Sequence, residues 1–82
     1  MSQRMLEDLA RAAGCVALLG ALGARIRNTF VGSHGPTINL LEPGALADHL
    51  DARQIPITCS HAAQLAVVDG CLITWPAEVV AR

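Results

Sequence analysis

The sequence predicts an α+β fold in one small domain spanning residues 1–82. A long N-terminal helix is followed by a β-hairpin, a short helix, a short strand and a C-terminal β-hairpin, the strands forming a mainly antiparallel sheet. Three observations carry this reading. Ser2 to Leu22 has helical spacing and no proline. Arg25 to Val31 and Pro36 to Leu41 are β-type runs on either side of the glycine-bearing segment Gly32–Gly35. Gln64 to Trp75 places two apolar runs around Asp69-Gly70, the dipeptide that best supplies two successive positive φ angles for a type I′ turn.

The first helix can be capped by Ser2. Arg4–Asp8 and Glu7–Arg11 sit at the i,i+4 spacing of helix ion pairs. Leu6, Leu9, Ala13, Val16 and Gly20 share one stripe, the expected inward face. Beyond Ala12 the helix is apolar all round, which marks it as buried. Ala10, Ala13, Gly14, Ala17, Ala21 and Ala24 recur at three- and four-residue spacings. Such small residues let another backbone come close, here a sheet of the same chain or a second molecule. Gly23 suits the C-cap.

The first hairpin is expected to pair Arg25–Val31 with Pro36–Leu41 through a four-residue loop, Gly32–Gly35. Glu42-Pro43-Gly44 opens the second helix, since proline suits the first helical position. Leu46 and Leu50 are its apolar pair, and Asp48, His49, Asp51 and Arg53 its wet side. It should end near Gln54, because the residue before Pro56 is pushed to extended conformations. Ile55 to Cys59 is a short strand, kept to an edge by Pro56. The final hairpin then has the register Val68–Cys71, Val67–Leu72, Ala66–Ile73 and Leu65–Thr74. Both of its faces are mainly apolar, so both are expected to be covered, the far one by the second helix or by another molecule.

Of the 82 residues, 52% are hydrophobic and only 16% charged. A chain this short buries only roughly 60% of its unfolded surface. An apolar excess of that size points to self-association or to a protein partner. The net charge of −1 and the pI of about 6.2 give no general attraction to nucleic acid or anionic membrane. Phe30 and Trp75 are the only aromatics, which leaves no stacking platform for single-stranded nucleic acid. Cys15, Cys59 and Cys71 are odd in number and widely spaced. They imply a reducing cytoplasm rather than a disulfide framework. The charge-free run from Ala12 to Ala24 is too short to cross a bilayer, which takes about 20 apolar residues. Its flank is not positive, because Glu7 and Asp8 balance Arg4 and Arg11, so it does not read as a secretion signal.

Candidate residues for four kinds of chemistry are present. Cys59, His61 and Cys71, with His34 or His49, are types that bind zinc, but the paired Cys spacing of structural sites is missing. Cys59 beside a histidine matches no nucleophile signature, and 82 residues leave little room for a core and a substrate cleft together. Gly32–Gly35 lacks the strand-to-helix setting of a phosphate loop. Arg25 and Arg27 could touch two phosphates, far fewer than the six to ten or so of a strong binder. No metal, cofactor or catalytic residue is therefore expected, nor any membrane or nucleic-acid partner.

The remaining expectation is a non-catalytic module that binds protein, by self-association or by occupying a partner's surface. An accessory or inhibitor protein of a phage or mobile element would need no more than that. Candidate contact residues are Trp75, a type enriched in hot spots; Ile55 and Ile57 on the edge strand; Arg25 and Arg27 as partners for carboxylates; and Ala13 and Ala17 on the small-residue stripe. A thiol or zinc module built on Cys59, His61 and Cys71 is the first alternative. Weak nucleic-acid contact through Arg25 and Arg27 is the second.

Overall fold

The computed structural model describes residues 3–33, 35–60 and 62–77. Ser2, His34, His61 and the tail from residue 78 lie outside the described residues, and with them the expected helix cap and two of the candidate histidines. The order is α1 (Gln3–Ala21), β1 (Arg25–Gly32), β2 (Gly35–Glu42), α2 (Leu46–Ala52), β3 (Thr58–Cys59), β4 (Ala63–Val68) and β5 (Cys71–Pro76). The strands make one five-stranded sheet in the order β1-β2-β5-β4-β3. The two hairpins are antiparallel and meet in a single parallel seam between β2 and β5, with Thr37, Ile38 and Asn39 beside Leu72, Ile73 and Thr74.

The C-terminal hairpin keeps its expected register from Val68–Cys71 to Leu65–Thr74, and it runs on to Gln64–Trp75 and Ala63–Pro76. Asp69 and Gly70 both have positive φ, 50° and 81°, as a type I′ turn requires. The first hairpin is tighter than expected. Gly32 pairs with Gly35, so two residues make the connection instead of four. A bulge between Ile26 and Asn28 shifts its register.

Helix ends are closed by backbone. At the end of α1, Ala24 N–H bonds to Leu19 C=O at 3.0 Å and Gly23 N–H to Gly20 C=O at 3.1 Å. With Gly23 at φ +76° this is a Schellman motif, and the expected cap is in place. The same pattern ends α2, where Ile55 N–H bonds to Leu50 C=O and Gln54 N–H to Asp51 C=O. There the left-handed position is filled by Gln54, at φ 58°. The exit from that motif turns Ile55 and Ile57 toward the core, and pairing resumes only at Thr58. The expected strand over 55–59 is therefore cut to two residues.

The orientation of α1 is the main correction. Its buried residues are Asp8, Ala12, Cys15 and Leu19, not the Leu6 stripe. Leu6, Leu9, Ala13, Val16 and Gly20 are all exposed. A helix that is apolar all round leaves its rotation to fit, and small Ala12 and Cys15 let its axis approach the sheet. α1 lies on β1, β2 and β5. α2 adds Leu46 and Leu50 to the same core, beside Ile38, Leu40, Ala66, Val68, Ile73 and Trp75. The second helix thus does not cover the far face of the sheet. Its corner is held by Gly44, at φ +60°, where a Cβ would lie 2.5 Å from the Leu22 carbonyl oxygen.

Candidate interaction surface

Strand alternation and register define the face that turns away from α1. Its central lane crosses four strands through Phe30, Thr37, Leu72 and Val67, which are successive partners in the sheet. The next lane holds Asn28, Asn39, Thr74, Leu65 and Thr58. By alternation Leu41, Pro76 and Ala63 complete it. None of these twelve residues carries a charge. Phe30 is 54% exposed and Val67 59%. A sheet face that meets only water commonly alternates with polar and charged side chains.

The polar residues of the face bond one another. Asn39 donates from Nδ2 to Asn28 Oδ1 at 2.7 Å, and Thr74 donates from its hydroxyl to Asn39 Oδ1. Three strands are tied in this way by two side-chain hydrogen bonds within the lane. Such a network can be covered at less cost than isolated amides.

A second apolar surface is the outer side of α1, with Met5, Leu6, Leu9 and Val16 exposed. Ala13 and Ala17 lie there too. The other candidate contacts are placed differently. Trp75 is buried and donates from Nε1 to Gln64 Oε1 at 2.7 Å, so it is a core residue and not a surface anchor. Ile55 and Ile57 are half-buried against the core, not presented at an edge. Arg25 is exposed and faces the Glu42 carboxylate of its own hairpin at 3.5 Å. Arg27 is exposed and lines an open cleft of about 200 Å³ with Asn39, Thr74 and Pro76, formed where β2 and β5 part beyond their paired residues. A second cleft, of about 240 Å³, lies between Arg4, Asp8 and Ser33. Both are smaller than the roughly 300–1,000 Å³ of typical ligand sites.

The thiols do not converge. Cys59 pairs with Gln64 of β4, which pairs in turn with Trp75, whereas Cys71 pairs with Val68 at the other end of the hairpin. The four residues from Cys71 to Trp75 span about 13 Å of strand, and zinc–sulfur bonds are about 2.3 Å. One ion cannot take both. Among the described residues no three His, Cys, Asp or Glu side chains gather as a metal site. Cys15 and Cys71 are buried and Cys59 is exposed. Burial, with Cys71 beside it, pushes the Cys15 thiol up to about 12, which holds it protonated and unreactive. The Nε2 of His49 is buried without a hydrogen bond among the described residues. Among those residues no helix is long and apolar enough to cross a membrane.

Compared with known proteins, the chain matches no family model, no curated protein and no solved structure. Sequence reasoning recognised that both sides of the last hairpin are apolar. It did not find the lane through Phe30 and Thr37, because only the β2–β5 pairing, which is remote in sequence, brings them beside Leu72.

Proposed function

We propose that this protein is a non-catalytic protein–protein interaction module that docks through the open, largely apolar face of its sheet. The observation that carries the reading is the lane Phe30–Thr37–Leu72–Val67, left uncovered by the described residues on a sheet whose two helices both lie on the other side. A lane of this kind loses water readily and itself presents no ion that must find a partner. Its ladder of Asn28, Asn39 and Thr74 limits the cost of covering its polar groups. Arg27 borders the face, in the cleft with Asn39, Thr74 and Pro76, whereas Arg25 and Glu42 lie at strand ends and Arg53 and Asp69 beyond the α2 and turn ends. A reducing cytoplasm suits three free thiols, one of them exposed. Accessory and inhibitor proteins that block a larger protein's surface are one form such a module takes.

The test is to recover the tagged full chain from the cells that express it, under gentle conditions, beside a Phe30→Asp/Val67→Asp variant. The reading expects the wild-type chain in a stoichiometric protein complex, with itself or with another protein, that the variant does not form. A wild-type chain recovered only as a free monomer, or a complex indifferent to both substitutions, contradicts it.

A further inference from the structure

The partner that fits this face best is a second copy of it. We propose that two chains pack their open sheet faces together about a two-fold axis that runs along the strands between β2 and β5. This rests on the reading above, that the face is a docking surface, and goes on to name its occupant.

Area separates the two exposed apolar surfaces. The axis overlaps four strands, β1, β2, β5 and β4, which at about 4.8 Å spacing and six to eight residues long give a face of about 19 by 23 Å. Two such faces remove about 900 Å² as flat footprint, and corrugated side chains add to it toward the roughly 1,000 Å² of a specific interface. The outer stripe of α1, 19 residues long, offers about 28 by 10 Å. Paired with itself it buries under about 600 Å², the size of a lattice contact. The sheet face is the larger of the two surfaces and the nearer to what a dimer needs.

Charge points the same way. In a two-fold interface each residue meets the partner's copy of a fixed counterpart. Like charges are not opposed here: Arg27, which lines the cleft with Asn39, Thr74 and Pro76, is carried by an axis along the strands over the partner's β4, three strands away from its own copy. Shape then selects the axis. Across the sheet the lane reads Phe30, Thr37, Leu72, Val67, large beside small and larger beside smaller. An axis along the strands exchanges β1 with β4 and β2 with β5. It lays Phe30 over the partner's Val67 and Leu72 over the partner's Thr37, so each large side chain meets a smaller one, as close packing favours. An axis across the strands stacks Phe30 on Phe30 and Leu72 on Leu72 instead. Aligned sheets of this kind pack about 10 Å apart.

The test is sedimentation equilibrium of the purified full chain from micromolar to millimolar concentration. The variants are Phe30→Lys, Val67→Asp, the double variant Phe30→Lys/Val67→Asp, and Leu9→Asp on α1. All three sites are exposed, and circular dichroism confirms that each variant folds. The wild-type chain is expected to show a monomer–dimer equilibrium. Each single charge on the face should raise the dissociation constant by roughly a hundredfold, because it is buried twice per dimer. The double variant should recover most of that loss. Within one chain the two sites are three strands apart, about 14 Å, so the new charges can meet only across the dimer. Leu9→Asp should change nothing. A wild-type chain that stays monomeric throughout overturns the proposal, as does a dimer broken by Leu9→Asp or a double variant without rescue. A monomer that forms a stoichiometric complex with another protein through Phe30 and Val67 also overturns it, while leaving the docking face itself in place.

Discussion

Thr74 and Asn39 share a hydrogen bond across the only parallel seam of the sheet. Asn39 passes the interaction on to Asn28, so one amide ties β1, β2 and β5 together on the side away from the helices. Asn39→Ala removes both bonds and leaves the Thr74 hydroxyl and the Asn28 carbonyl without their partner. The expected loss is about 1–2 kcal/mol in denaturant unfolding, larger than that of Asn28→Ala, which breaks only the outer bond. Equal effects at the two sites would mean that the seam bond contributes nothing.

The glycines are not equivalent. A Cβ on Gly44 would lie 2.5–2.8 Å from backbone atoms of Leu22, Gly23 and Ala24, at a φ of +60°. Gly70 has a similar φ but only the flexible Arg11 side chain nearby, and Gly32 has open space. Gly44→Ala is therefore expected to cost the most, upward of about 2 kcal/mol. Gly70→Ala should cost about 1–2 kcal/mol, and Gly32→Ala within about 0.5 kcal/mol. With valine the contrast between Gly70 and Gly32 widens, because a branched side chain tolerates the left-handed region least. Chemical denaturation of the series gives the order directly.

Gln54 closes α2 in a conformation that suits glycine. Gln54→Gly is expected to raise stability by about 0.5–1 kcal/mol, through relief of left-handed strain. A lower denaturation midpoint would show that the exposed Gln54 side chain makes a stabilising contact.

The cysteines should separate by reactivity. In the native protein an alkylating reagent is expected to modify Cys59 alone, since Cys15 and Cys71 are buried and the Cys15 thiol is raised to about 12. Mass spectrometry then finds one adduct, and three after denaturation. The same shift has a consequence for stability. In the unfolded chain the Cys15 thiol ionises near its ordinary value of 9.0, whereas in the folded chain it holds its proton to about 12. The folded state binds more protons in between, so stability falls as pH rises through that window, by at most about 1.4 kcal/mol per unit. Cys15→Ala should flatten that alkaline slope, whatever it does to stability at neutral pH.

Much of the architecture was legible in the sequence where a local rule is strict. Asp69-Gly70 permits one turn, and a period of two then fixes every partner from Val68 to Thr74. Gly23 marked the end of α1 for the same kind of reason. The rotation of α1 was not legible. Leu6, Leu9, Ala13, Val16 and Gly20 form a better apolar stripe than Asp8, Ala12, Cys15 and Leu19, yet the second set is buried. Close approach of Ala12 and Cys15 to the sheet outweighed the larger side chains. Nor could local pattern show that Trp75 meets Gln64 inside the core, or that β2 runs beside β5. Parallel pairing joins segments far apart in sequence, and the candidate surface depends on it.

The most direct test of the docking face is a concentration series of heteronuclear NMR spectra of the full chain, with methyl and backbone signals assigned. Shifts that grow with concentration are expected at Phe30, Thr37, Leu65, Val67 and Leu72, with Leu6, Leu9 and Val16 unmoved. Shifts confined to α1, or spectra unchanged up to millimolar concentration, would contradict self-docking through the sheet.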